Sequence, residues 1–164
     1  MCSQVIDWLS KIEPLFAALP KNEKSEIQDF SLLWSYFEGT KLCCAAGMNS
    51  IRNYVESIDC EASLCRFNMV DYLIYLRNRY FADGKFTQDY SDLHFENGAK
   101  EFKVVADKML RGGCISKKDE LIGCLAIIYR LRNNLFHGDK WHYQLQGQCV
   151  NFRRANELLM ALMS

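Results

Sequence analysis

Residues 117 to 138 read KKDELIGCLAIIYRLRNNLFHG, and this run constrains the fold more than any other part of the chain. On an ideal helix, turning about 100° per residue, Leu121 at zero puts Leu125 at about 40°, Ile128 at about 340° and Leu135 at about 320°. That is one apolar face, and it needs other apolar faces to pack on. The chain supplies them. Val5, Trp8, Leu9, Ile12, Leu15, Phe16 and Leu19 recur at helical spacing over residues 4 to 19. Ile27, Phe30, Leu33, Trp34 and Phe37 do so in the next segment. Residues 47 to 59 form a shorter helical pattern, and Leu64, Phe67, Val70, Leu73, Ile74 and Tyr80 keep helical register up to FADGKFTQDYSD, a polar loop with turn chemistry. A helix over about 98 to 111 stops at Gly112-Gly113, Ser116 is placed as the N-cap of the long apolar helix, and a helix from about Phe152 to Met163 closes the chain. No strand alternation is visible. The expected fold is all-α, a compact up-and-down bundle of five or more helices in one domain spanning 1–164.

Composition narrows the function classes. The chain has 164 residues, with 20 Lys+Arg balancing 20 Asp+Glu, so it cannot coat nucleic acid or membrane by bulk charge. The charge is unevenly spread: residues 1 to 100 carry a net −4 and residues 101 to 164 a net +4, which assigns any polyanion site to the C-terminal part. The eight cysteines (2, 43, 44, 60, 65, 114, 124 and 149) form no CxxC pair and have no histidine at zinc-ligand spacing, so neither a metal nor another cofactor is expected. The opening MCSQVIDWLS lacks the basic start and long apolar stretch of a secretory leader, and no apolar run reaches membrane-spanning length. Free thiols in a reducing cytoplasm, without membrane association, are the expectation.

The chemistry-bearing residues cluster at the end of the long helix. Arg132 falls at about 20° on the same wheel, within the apolar face. A guanidinium cannot shed its proton, so a carboxylate, a phosphate or a water-filled cavity must face it. Glu38, close to Trp34 near the end of the second helix, is a candidate carboxylate. His137 falls at about 160°, beside Asn133 and Arg130, and Gly138 ends the helix. A helix C-terminus favours the protonated imidazole, moving it toward general-acid competence near neutral pH, with Asn133 or Asn134 available to orient the ring. About 140° then separates Arg132 from His137 on a straight helix. Either the helix end distorts or the two groups meet at a junction between subunits. Spacing alone leaves a bland alternative open, in which Arg132 pairs with a core carboxylate such as Glu38 and His137 only decorates a helix end.

The stretch Arg132-Asn-Asn-Leu-Phe-His137, followed by Gly138, resembles the R-x4-6-H motif of the HEPN superfamily, helical domains found in prokaryotic toxins, phage-defence proteins and several ribonucleases. There a polar residue, often Asn, follows the Arg, as Asn133 does here, and the motif sits at the end of a late helix. FSLLWSYFEG, residues 30 to 39, is more loosely similar to the aromatic, Glu-bearing early helix of some stand-alone bacterial members. The resemblance implies a metal-independent endoribonuclease, a hydrolase of the toxin–antitoxin or phage-defence kind cutting tRNA or mRNA, and a homodimer whose two motifs face each other. It implies that Arg132 binds the scissile phosphate, His137 transfers protons and Asn133 positions the histidine. It further implies possible partners in an antitoxin or a nucleotidyltransferase. Some members are catalytically silent nucleotide-binding or protein-interaction modules, which is the alternative function.

Glu38, Arg130, Asn134 and Tyr129 are supporting candidates: Glu38 to hold Arg132, Arg130 to touch RNA backbone, Asn134 to orient the ring, and Tyr129 equally a core residue. Lys117 and Lys118 read as a solvated helix start, Arg153 and Arg154 as an exposed face in preference to part of an RNA path, and His142 as a surface histidine in preference to one entering the cleft. His94 has no partner motif. Cys43-Cys44 and the tail LLMALMS read as core or interface packing.

Overall fold

The computed structural model describes residues 4–96, 99–114, 116–136 and 145–164. Among these residues the chain forms ten helices and one minimal hairpin. The helices are α1 (Gln4–Ile12), α2 (Pro14–Ala17), α3 (Lys21–Lys41), α4 (Met48–Ser57), α5 (Cys60–Ser63), α6 (Met69–Tyr80), α7 (Gln88–Ser91), α8 (Lys100–Leu110), α9 (Lys117–Phe136) and α10 (Cys149–Met163). The strands β1 (Phe81–Ala82) and β2 (Lys85–Phe86) lie between α6 and α7. The fold is all-α, and no helix among the described residues is long and apolar enough to cross a membrane.

Helix α9 is the axis of the molecule. Leu121 to Ile128 are all buried, and Leu131, Asn133, Asn134 and Leu135 continue the burial. The helix is therefore enclosed on nearly every side, a wider burial than the single apolar face read from its sequence. It packs most tightly on α8, at Gly123. A Cβ placed there would lie 2.5 Å from Cβ of Met109, so only a hydrogen fits. Helix α8 can end beside it because Gly112 adopts φ +73° while Gly112 and Gly113 donate back to the carbonyls of Met109 and Lys108, a Schellman closure. On the other flank, α3 buries Ile27, Phe30, Trp34 and Phe37 and packs against α10, where Phe30 and Phe152 meet at 5.0 Å. Burying side chains of this size stabilises by about 1.5–3 kcal/mol each.

Three expectations need correction. Residues 4 to 19 are not one helix facing the core. Pro14 has no N–H for the preceding turn, so the chain extends at Glu13 and restarts as α2, with the Glu13 carboxylate accepting from the Leu15 amide. Only Phe16 and Leu19 are buried, and Val5, Trp8, Ile12 and Leu15 are each more than half exposed. Helical register is likewise not continuous from Leu64 to Tyr80. Asn68 caps a new start by accepting from Asp71 N–H at 3.1 Å, and the buried stripe of α6 is Tyr72, Leu73, Leu76 and Tyr80, leaving Val70 and Ile74 exposed. The stretch 81–92, expected as a polar loop, contains the hairpin and the short helix α7. Asp83 and Gly84 both take positive φ, 51° and 73°, the geometry of a two-residue turn whose twist matches the strands.

The uneven charge also has a structural use. Five ion pairs join acidic residues of the first hundred positions to basic residues beyond them: Glu61 with Lys117, Glu56 with Lys118, Glu38 with Arg132, Glu26 with Arg153 and Asp71 with Arg154. The net +4 of the C-terminal part is thus largely matched from the N-terminal part, which leaves less of it free to form a broad basic face. Cys43 and Cys44 are not core: both are exposed, in left-handed backbone just after α3.

Candidate functional site

Near the C-terminal end of α9, which stays buried as far as Leu135, the two arginines lie on opposite faces. Arg132 lies on one. Its Nη2 is 3.4 Å from Oε2 of Glu38, its Nη1 donates to Oδ1 of Asn133 at 2.9 Å, and its guanidinium stands 5.3 Å from the ring centre of Phe136. Arg132 and Phe136 are four residues apart, the spacing at which helical side chains meet.

Glu38 is itself held from three sides. Besides Arg132, its Oε2 accepts from the buried indole of Trp34 at 2.7 Å, and its Oε1 accepts from the backbone N–H of Ala46 at 3.3 Å. Trp34 and Glu38 are again one helical turn apart on α3, while Ala46 arrives by way of the turn that follows. In that turn Cys43 and Cys44 take φ 54° and 60°, and the Cys44 N–H donates to the Glu38 carbonyl. Two consecutive non-glycine residues in this region are uncommon. Their effect is to fold the chain back so that Ala46 reaches the carboxylate.

The Arg132 side chain keeps 27% of its exposure and that of Glu38 21%, so the pair lies at the rim, reachable from solvent. Arg132 Nε is buried and has no hydrogen-bond partner among the described residues, so the donors a ligand could reach are the second N–H groups of Nη1 and Nη2. A guanidinium carries five N–H donors in a planar fork. Here it is oriented by two partners with donor capacity remaining, an arrangement able to receive an oxyanion.

Arg130 and Asn134 occupy the opposite face. Arg130 is 5% exposed; its Nε donates to the Leu93 carbonyl at 2.8 Å, and its Nη2 to the His94 carbonyl at 2.9 Å and to Oδ1 of Asn134 at 3.3 Å. Asn134 in turn donates to the Asp92 carbonyl at 2.9 Å. Together they clamp the turn after α7, in which His94 itself takes φ 53°. The suggested RNA contact of Arg130 does not fit this placement, because its guanidinium points inward to backbone carbonyls. Asn134 is engaged in the same clamp. Tyr129 stacks on Phe102 at 4.2 Å and neighbours Trp34 at 6.1 Å, a core packing position.

His137, Gly138 and His142 lie outside the described residues. The structure therefore brings together Arg132, Asn133 and Glu38, places Tyr129 in the core beside the Trp34 that holds Glu38, and turns Arg130 and Asn134 to the opposite face. Phe136 and the Ala46 amide were not among the residues singled out from sequence. The four-residue step from Arg132 would have found the first, and nothing local in sequence announces the second. No group of three or more potential metal-ligating side chains occurs among the described residues. Compared with models of known protein families, with curated proteins and with solved structures, the chain matches none.

Proposed function

We propose that this chain is a metal-independent endoribonuclease built on the HEPN-like arrangement that its Arg132–His137 stretch resembles. One observation carries the reading: a guanidinium is fixed by Glu38 and Asn133 at the rim of the core helix, with one N–H left on each of Nη1 and Nη2. Such a group suits the non-bridging oxygens of a phosphodiester, whose charge grows as the phosphorus becomes pentacoordinate. RNA supplies its own nucleophile. In this scheme the 2′-oxygen bonds to phosphorus as its proton leaves, the bond to the 5′-oxygen breaks, and a proton is delivered to that oxygen. The products are a 2′,3′-cyclic phosphate and a free 5′-hydroxyl. His137 is the proposed proton-transfer group, and Asn133 is the residue proposed to position it. A homodimer would bring a second motif to the same phosphate, so that one histidine takes the proton while the other gives one.

The test is cleavage of a defined RNA in excess EDTA. Wild-type protein is expected to cut and to leave a cyclic phosphate. Arg132→Ala and His137→Ala should each slow cutting by at least about a hundredfold. A single 2′-deoxy nucleotide at the mapped position should stop cleavage without preventing binding. Activity lost in EDTA and restored by magnesium would overturn the mechanism, and undiminished cleavage by both variants would overturn the assignment.

A second reading is a catalytically silent nucleotide-binding or interaction module. The Glu38–Arg132 pair favours it, since a carboxylate occupies one edge of the guanidinium. Nucleotide binding by a wild-type protein that cuts no RNA would favour that reading over the first.

A further inference from the structure

Helices α3 and α10 leave between them a groove of about 460 Å³, lined by Glu26, Asp29, Leu32, Leu33, Asn156 and Met160, with Arg153 and Glu157 at its edge. Its size is that of a small recognition pocket. Leu32 is 72% exposed and Met160 49%, and Tyr36, one turn beyond Leu32, extends the apolar stripe along α3.

The rim is acidic. Arg153 is paired with Glu26 at 2.8 Å, and Asn156 donates to the same carboxylate at 3.0 Å. With Asp29 and Glu157, the four charged groups of the groove (Glu26, Asp29, Arg153 and Glu157) sum to −2. Asn156 is 3% exposed, and its Oδ1 has no partner.

We infer that this groove docks a basic amphipathic helix of a protein partner. Apolar side chains one turn apart on that helix seat against Leu32, Leu33 and Met160, and flanking Lys or Arg residues meet Asp29 and Glu157. Helix-in-groove recognition uses anchors at this spacing, and complementary charge at the rim sets orientation and excludes acidic competitors. RNA is disfavoured by the same charge. A second copy of this chain fits poorly: α1 carries Asp7 against Lys11 and so brings no net positive charge, and on α6, whose Val70 and Ile74 are also exposed, Arg79 is already paired with Asp89 and Arg77 donates to the Met109 carbonyl. Asp29 and Glu38 are nine residues apart, which puts them on opposite sides of α3, and a helix in the groove leaves Arg132 uncovered. The inference is therefore independent of any nuclease activity.

The experiment selects a random library of peptides about 14 residues long, roughly four helical turns, on wild-type protein. Counter-selection uses the variant carrying Leu32→Ser and Met160→Ser. Enriched peptides are expected to be net basic with apolar residues three or four apart. A labelled enriched peptide should bind at least about tenfold more weakly to that variant, and to one carrying Asp29→Lys and Glu157→Lys, and should lose affinity as salt rises. All four positions are exposed, and helical circular dichroism confirms that each variant folds. Neutral or acidic winners, binding unchanged by charge reversal, or no peptide distinguishing wild type from the variants would each overturn the inference. So would a wild-type dimer that Leu32→Ser with Met160→Ser converts to monomer, because the occupant would then be a second copy.

Discussion

Oε2 of Glu38 is shared by Trp34, at 2.7 Å, and Arg132, at 3.4 Å, so the indole holds the carboxylate more closely than the guanidinium does. At 27% and 21% side-chain exposure, an ion pair of this length contributes at most about 1 kcal/mol. A double-mutant cycle of Glu38→Gln and Arg132→Met, followed by urea unfolding, is expected to give a coupling within that limit. A coupling above about 3 kcal/mol would mark a structural bridge and weaken the case for Arg132 as a ligand-binding group.

Arg130 and Arg132 should part company on mutation. Arg130→Met removes buried hydrogen bonds to the Leu93 and His94 carbonyls and to Asn134, and is expected to destabilise by about 2–4 kcal/mol. Arg132→Ala should cost about 1 kcal/mol or less while removing activity. Denaturant midpoints alongside RNA cleavage separate the two, and an Arg130 variant of wild-type stability would show that the clamp is not needed.

Gly123→Ala is expected to destabilise by about 1–3 kcal/mol, because the added methyl would lie 2.5 Å from Cβ of Met109. Helix propensity alone would make the same substitution stabilising. The sign of the shift in thermal midpoint therefore tests how closely α8 and α9 pack.

Burial, with a smaller contribution from Cys60, pushes the Tyr54 hydroxyl up from 10.0 to about 12. Its hydroxyl donates to the Leu162 carbonyl at 2.7 Å. The folded chain thus keeps this proton when the unfolded chain has lost it. Stability linked to it is complete below pH 10 and falls as pH rises toward 12. Urea midpoints measured across that window should decline less steeply in Tyr54→Phe, and equal slopes would refute the linkage.

The sequence made the core helices readable wherever an apolar stripe found a partner. Ile27, Phe30, Trp34 and Phe37 are buried on α3, and Gly112-Gly113 ends α8. It misled where a stripe found none: Val5, Trp8 and Ile12 have helical spacing yet remain exposed, because periodicity reports a face and not what covers it. In α6 two stripes competed, and Tyr72, Leu76 and Tyr80 won over Val70 and Ile74. At the site, the nearness of Glu38 to Trp34 could be read from a four-residue step. The Ala46 amide could not, since it depends on a turn of two cysteines in left-handed backbone. Arg130 looked like Arg132 in sequence, and only the fold shows one turned inward and the other at the rim.

The clamp formed by Arg130 and Asn134 acts as a torsional stop. Close packing such as that at Gly123 already resists rolling of α9 about its own axis, and directional hydrogen bonds sharpen that resistance. A roll of about 20° would swing a group carried about 6 Å from the axis by about 2 Å, enough to break a hydrogen bond. By tying the far side of α9 to the carbonyls of Asp92, Leu93 and His94, the clamp fixes the azimuth of Arg132 from behind. The aim of the guanidinium is thereby set by residues that never touch what it binds.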